Sequence, residues 1–255
     1  MSEQLGCRQR TTSSVIGVPI DVLSWPSVLD SVAEMAQTGK GYYVCICNVH
    51  SVVTATQDRE FGDVVRNADL ATPDGAPVAW LMRRLGVEGQ ARINGPDLMW
   101  KYLSEAATCG EPVYLYGGAQ STLDILTKVL PERMPGLVIA GAYSPPFRQL
   151  TAQEDEQIVE AINTSGAKTV WVSLGCPKQE LWMAEHRDRV NAVMIGVGAA
   201  FDYHAGVIKR APLWMQHSGL EWLHRLSSEP KRLFKRYLST NSWFIYYAVR
   251  QLLKK

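Results

Sequence analysis

One feature constrains this chain more than any other: short apolar runs alternate with longer stretches in which apolar residues recur at helical spacing. The runs Val15–Ile20, Tyr42–Cys47, Val113–Tyr116, Leu137–Ala142, Thr169–Leu174 and Val193–Val197 predict strands. Between and around them, Ser27–Thr38, Val49–Asp58, Ala76–Leu85, Asp97–Ala107, Thr122–Met134, Ala152–Asn163 and Lys178–Arg187 predict helices. Glu111-Pro112, Pro135-Gly136 and Ser165-Gly166 fall where connections are needed. Strand–helix alternation of this kind is the pattern of a parallel sheet with helices on its faces. A chain of 255 residues, 46% of them apolar, can bury a core of that size and is too apolar to be disordered.

The pattern breaks near Lys209. Beyond it, prolines, tryptophans and basic residues replace the alternation, and Lys209, Arg210, Arg225, Lys231, Arg232, Lys235, Arg236, Arg250, Lys254 and Lys255 face only Glu221 and Glu229. The expected organisation is therefore a Rossmann-like α/β core over residues 1–208 and a basic, aromatic-rich helical appendage over 209–255. The net charge of +1 gives the whole molecule no nucleic-acid signature. Five scattered cysteines with no C-x-x-C pair argue against a disulfide scaffold and a structural zinc site. Met1–Ser14 lacks the apolar stretch of a secretory signal. No run approaches the roughly 18 to 20 apolar residues of a spanning helix. The expected location is cytoplasmic, or peripheral on the inner membrane face.

In an open parallel sheet, ligands bind at the carboxyl ends of the strands. Four polar clusters sit at such ends: Asn48-Val49-His50, Thr72-Pro73-Asp74-Gly75, Tyr116-Gly117-Gly118-Ala119, and Leu174-Gly175-Cys176-Pro177-Lys178-Gln179-Glu180. Glycines at a strand-to-helix turn let backbone amides approach a phosphate, with help from the helix N-terminus. Gly117 and Gly118 lack the lysine and hydroxyl of a P-loop, and Gly196-Val197-Gly198 lacks the third glycine of a dinucleotide fingerprint. No nicotinamide or other cofactor is expected. Lys178 and Gln179 open a helix where they can meet phosphate or sugar. Asp74, at the tip of a Pro-Gly turn, is the best candidate for a general base; His50 and His204 are rivals. No D-x-D pair is present to clamp a metal, so none is expected. Arginines of the appendage can then supply positive charge to a diphosphate, and Arg232, Lys235 and Arg236 share one helical face by their spacing.

Taken in order, these motifs resemble the WecG/TagA/CpsF glycosyltransferases, glycosyltransferase family 26. The matching stretches are Cys45–His50, Thr72–Gly75, Arg92–Asp97, Tyr116–Gly118, Gly175–Glu180, Gly196–Gly206, and Arg210-Ala211-Pro212 through Glu221-Trp222 to Arg236-Tyr237. The resemblance implies an inverting, metal-independent transfer from a UDP-sugar to an undecaprenyl-diphosphate-linked saccharide in cell-surface polysaccharide synthesis. It implies that Asp74 is the base and Asn48 a sugar-pocket residue. It places Thr72, Arg92, Asn94, Asp97, Gly117, Gly118, Gly175, Lys178, Gln179 and Asp202 in segments that bind substrate. Arg225 and Arg232 match arginines that reach the diphosphate; the third is Lys235 or Arg236, with Arg236 preferred for its fork geometry. One departure from the family pattern stands out: threonine is common two residues before the asparagine, where this chain has Ile46. The expected partners are the donor, the polyprenyl-diphosphate-linked acceptor and an anionic membrane surface, with a homo-oligomer left open. The competing reading is a non-catalytic nucleotide-sugar-binding or membrane-adaptor protein, which has no need of a carboxylate at position 74.

Overall fold

A computed structural model describes residues 10–254, leaving aside the side chains of His217, Arg232 and Arg236. Its strands are β1 (Thr12–Val15), β2 (Val18–Asp21), β3 (Tyr42–Cys47), β4 (Leu70–Pro73), β5 (Pro112–Gly117), β6 (Val138–Tyr143), β7 (Thr169–Ser173) and β8 (Val193–Gly196). The helices of the main body are α1 (Trp25–Gln37), α2 (Val49–Gln57), α3 (Arg59–Arg66), α4 (Ala76–Arg84), α5 (Gly95–Cys109), α6 (Gln120–Arg133), α7 (Ala152–Thr164), α8 (Lys178–Glu185) and α9 (Ala200–His204). Three more follow in the C-terminal segment: α10 (Leu213–His217), α11 (Glu221–Ser228) and α12 (Pro230–Leu253).

Six strands form one parallel sheet in the order β4-β3-β8-β7-β5-β6. Successive side chains of a strand point to opposite faces, and here both faces are covered. Tyr43, Cys45 and Cys47 of β3, Val170 and Val172 of β7 and Met194 of β8 join one core with residues of α2, α3, α4, α7 and α8. Val44, Ile46, Trp171, Val193 and Ile195 join the other with residues of α1, α5, α6 and α9. From β3 the chain goes out to β4 at one edge, and from β5 to β6 at the other. The crevice between these departures, above β8 and β7, is where such sheets bind ligands.

Two expectations about strands are corrected. Val15–Ile20 is the turn of a hairpin rather than one strand, because Ile16 and Gly17 both take positive φ, 46° and 88°. That conformation strains a β-branched residue, and α12 holds it in place. Gln251 accepts from the Ile16 amide at 2.7 Å and donates to the Ser14 carbonyl at 2.6 Å. The second correction is β4, unmarked in the sequence because it is short and ends in proline. Proline is tolerated at the end of an edge strand, and the buried Asp21 carboxylate accepts the Ala71 amide at 2.6 Å.

The segment after Lys209 packs against the main body. Phe244 and Ala248 of α12 are buried in the core beside α2, and Leu233 is fully buried.

Candidate active site

Because the six strands run parallel, their carboxyl ends share one edge, and the loops leaving β3, β4, β5, β7 and β8 meet there. They line a cleft of about 1960 Å³, completed by residues of α11 and α12 that include Arg225 and Tyr237.

Asp74 stands at the end of β4. Its amide donates to the Cys47 carbonyl at 3.0 Å, which extends the sheet by one bond. Gly75, at φ 85°, then turns the chain into α4, a conformation that glycine adopts freely. The carboxylate is left facing the cleft, with Arg92 Nε 3.5 Å from its Oδ1. Burial lifts its pKa above the ordinary aspartate value; the Arg92 charge pulls it down, Glu221 pushes it up and Arg225 pulls it down, and burial prevails. A carboxylate with a raised pKa is a better proton acceptor.

Glu221, at the start of α11, ties the C-terminal segment to this point. It is buried, accepts a short hydrogen bond from Arg92, and lies 3.6 Å from Nε of Arg210. Arg210 also forks onto Asp97, donating to both carboxylate oxygens. Removing one partner of a mostly buried ion pair leaves the other uncompensated. Glu221→Ala is therefore expected to lower stability by about 2 kcal/mol, read as a lower urea midpoint at unchanged slope.

The glycines act differently from the expectation. Gly117 (φ 101°) lies outside the cleft wall; a Cβ there would sit 2.6 Å from the Ser173 carbonyl oxygen, so glycine lets the end of β5 close onto β7. The Gly118 amide donates to that same carbonyl at 2.8 Å and is spent within the protein. The amides of Gly175 and Gly198 both donate to Oε1 of Gln179, at 3.2 and 3.1 Å. Gly118 and Gly175 still line the cleft, but their amides are already bonded within the protein.

The remaining sequence-derived residues divide into walls and supports. Asn48 lines the cleft and also caps α2, its Oδ1 accepting the Ser51 amide at 3.2 Å. Asn94 lines it and caps α5, accepting the Asp97 amide at 2.9 Å. Asp202 lines it and accepts from Thr122 Oγ1 at 3.2 Å. Lys178, Gln179, Arg92 and Arg225 also line it, and the Arg225 guanidinium lies 5.9 Å from the centroid of the Tyr203 ring. Thr72 does not face the cleft: it is fully buried and its hydroxyl donates to the Ile93 carbonyl at 3.3 Å. Asp97 is engaged by Arg210 and Asn94 outside the cleft wall. Both therefore hold the loop that carries Arg92 and Asn94. Arg232 and Arg236 lie outside the described side chains, and Lys235 is exposed on α12 away from the cleft.

Of the two histidines, His50 lines the cleft. His204 does not: its Nε2 is 2.9 Å from the Pro96 carbonyl, it stacks on Trp100, and burial lowers its pKa. Three residues at the site fell within segments the sequence reading marked but were given no role there: Tyr203, Glu221 and Glu180. Glu221 did leave a trace there, as one of two acids among ten bases.

A doubly wound sheet whose ligand edge holds a carboxylate among arginines in a cleft is the architecture of an α/β protein with a ligand site at its switch point. The chain belongs to the WecG/TagA/CpsF family of glycosyl transferases, whose family model matches residues 13–255. It is thus a glycosyltransferase of cell-surface polysaccharide synthesis.

Proposed function

We propose that the enzyme moves a sugar from a UDP-sugar to an undecaprenyl-diphosphate-linked saccharide, with inversion and without a metal. The observation that carries this reading is Asp74, held at the cleft beside Arg92 and within the field of Arg225. Asp74 takes the proton of an acceptor hydroxyl as its oxygen bonds to the anomeric carbon. The bond from that carbon to the diphosphate breaks on the opposite side, and UDP leaves. One in-line displacement inverts the centre. Negative charge gathers on the diphosphate as the bond breaks, and a prepositioned guanidinium stabilises it most at that moment. Arg225 is the described arginine that fits this role; Arg232 and Arg236 are assigned to it by their place in the family pattern. Asn48, Asn94, Lys178 and Asp202 supply polar contacts to the donor. Ile46 also reaches the cleft, so the hydroxyl that threonine offers elsewhere in the family is missing from this pocket.

The alternative, a binder without catalysis, leaves Asp74 unexplained, since a half-buried carboxylate facing a diphosphate site weakens binding. A coupled assay of UDP release, with and without lipid-linked acceptor, decides between them: release that depends on acceptor supports transfer, and its absence with every UDP-sugar tried overturns it. The metal-free reading rests on the missing D-x-D pair, and among the described residues no three His, Cys, Asp or Glu side chains gather into a preformed metal site. Activity is accordingly expected to survive EDTA; loss on chelation, restored by Mn²⁺, would reveal a metal requirement.

The proposed partner surface is an anionic bilayer. No helix among the described residues is long and apolar enough to cross a membrane. The exposed apolar residues and lysines of α12 suit the headgroup boundary instead.

A further inference from the structure

Gln179 occupies the junction of the two central strands, and its orientation is decided by a neighbour. Its Oε1 receives two amides, from Gly175 after β7 and Gly198 after β8. Its Nε2 donates to Oε1 of Glu180 at 2.9 Å. Turning the Gln179 amide over would set an NH₂ group against two N–H donors and an oxygen against the Glu180 acceptor, so the two sides enforce one orientation. Glu180 is only 1% exposed, although it contributes to the cleft wall, and its Oε2 has no hydrogen-bond partner among the described residues.

We propose that Glu180 is a positioning residue for the nucleotide-sugar donor: it fixes the Gln179 amide, and through it the spacing of the two glycine turns that the donor meets. The proposal rests on the UDP-sugar reading above. Its chemistry makes the charge of Glu180 matter. The titratable groups around it are thiols, Cys176 from the loop before α8 and Cys45 and Cys47 from β3, and among the described residues no cation offsets a negative charge there. Burial lifts the carboxyl to about 7, against the pull of the Gln179 amide and the Cys176 thiol. Below that pH the group is neutral: Oε1 accepts from Gln179 and the proton resides on Oε2. Above it, an uncompensated charge lies under a site that must take a diphosphate, and the two repel. Donor affinity therefore falls as pH rises through about 7.

The test uses the full-length protein with UDP as probe, titrated calorimetrically at about pH 6 and about pH 8.5, on either side of the Glu180 transition. Comparison with Glu180→Gln cancels the ionisation of UDP itself, because both proteins meet the same ligand. The wild-type affinity is expected to fall about tenfold further than that of Glu180→Gln between the two conditions. At the lower pH, Glu180→Leu, which keeps the volume but frees Gln179, is expected to bind UDP about tenfold more weakly, and Glu180→Gln to restore most of the loss. Parallel pH dependence in wild type and Glu180→Gln, or wild-type affinity in a folded Glu180→Leu protein, overturns the role of Glu180. Failure of the wild type to bind UDP at either pH overturns the donor reading itself.

Discussion

Asp74→Asn is expected to fold, to bind UDP with near-normal affinity, and to turn over at least about a hundredfold more slowly, the usual contribution of a general base. The turn it occupies does not depend on the carboxylate. Its backbone amide is held by the Cys47 carbonyl, and Gly75 supplies the positive φ that starts α4. Asparagine keeps the size and the acceptor oxygen that faces Arg92, and Arg92 retains Glu221 as its second partner. What disappears is basicity. Steady-state rates with saturating donor, together with UDP binding, separate the outcomes. Near-normal turnover in a folded variant removes Asp74 as base, while a parallel loss of UDP affinity makes it a donor ligand instead. In the wild type, activity should also decline toward acid as Asp74 takes up a proton, with a midpoint above the ordinary aspartate range because burial raises its pKa. Joined to the alkaline loss of donor affinity from Glu180, the profile of kcat/KM should be bell-shaped, and Glu180→Gln should flatten only its alkaline side.

The parts of the fold that could be read from the sequence are those where burial leaves a continuous apolar run. β3 appears at Tyr42–Cys47, as expected, and β5, β7 and β8 differ from expectation by a residue or so at their ends. These are interior strands, covered on both faces. What escaped detection depends on contacts distant in sequence. β4 is a four-residue edge strand that pairs with β3 on one side and is met by the Asp21 carboxylate on the other. The break in the hairpin depends on Ile16 holding a conformation that its residue type disfavours, with Gln251 supplying the bonds from 235 positions away.

The site divides along the same line. Asp74, Asn48 and Gln179 were singled out because they follow apolar runs where strands end, and ligand-edge logic applies to position alone; Arg92, in the connection between α4 and α5, came only with the family resemblance. Whether such a residue touches ligand or only holds its neighbours depends on partners that position cannot reveal. Asp97 and Thr72 are in the right segments, at the start of α5 and the end of β4, yet one is claimed by Arg210 and the other by the Ile93 carbonyl. Glu221 shows the converse. Its role arises only when α11 folds back to bring it against Arg92, 129 residues earlier in the chain.

Substituting serine for Phe234, Leu238 and Leu253 together is expected to weaken binding to anionic phosphatidylglycerol vesicles by about a hundredfold, while leaving UDP binding and transfer to a water-soluble acceptor analogue intact. These three residues share one face of α12, at 60%, 61% and 83% exposure, with Ile245 and Val249 between them. Leu233, Thr240, Phe244 and Ala248 form the buried flank, so the substitutions leave the packing on α2 untouched. None of the three lines the cleft. If each gains about 1 kcal/mol on entering the headgroup boundary, about half of full burial, three of them account for the hundredfold. Lys231, Lys235 and Arg250 on the same helix, with Lys254 at its C-cap, add attraction to anionic lipid, so added salt should weaken the wild type as well. Deleting everything after Lys209 is a blunter experiment, because it also strips Phe244 and Ala248 from the core and the Gln251 clamp from the hairpin. Co-sedimentation with vesicles, read beside sedimentation velocity, assigns the face. Unchanged vesicle binding removes the membrane role. If the same variant instead converts an oligomer to monomers, the stripe is a contact between copies of the chain.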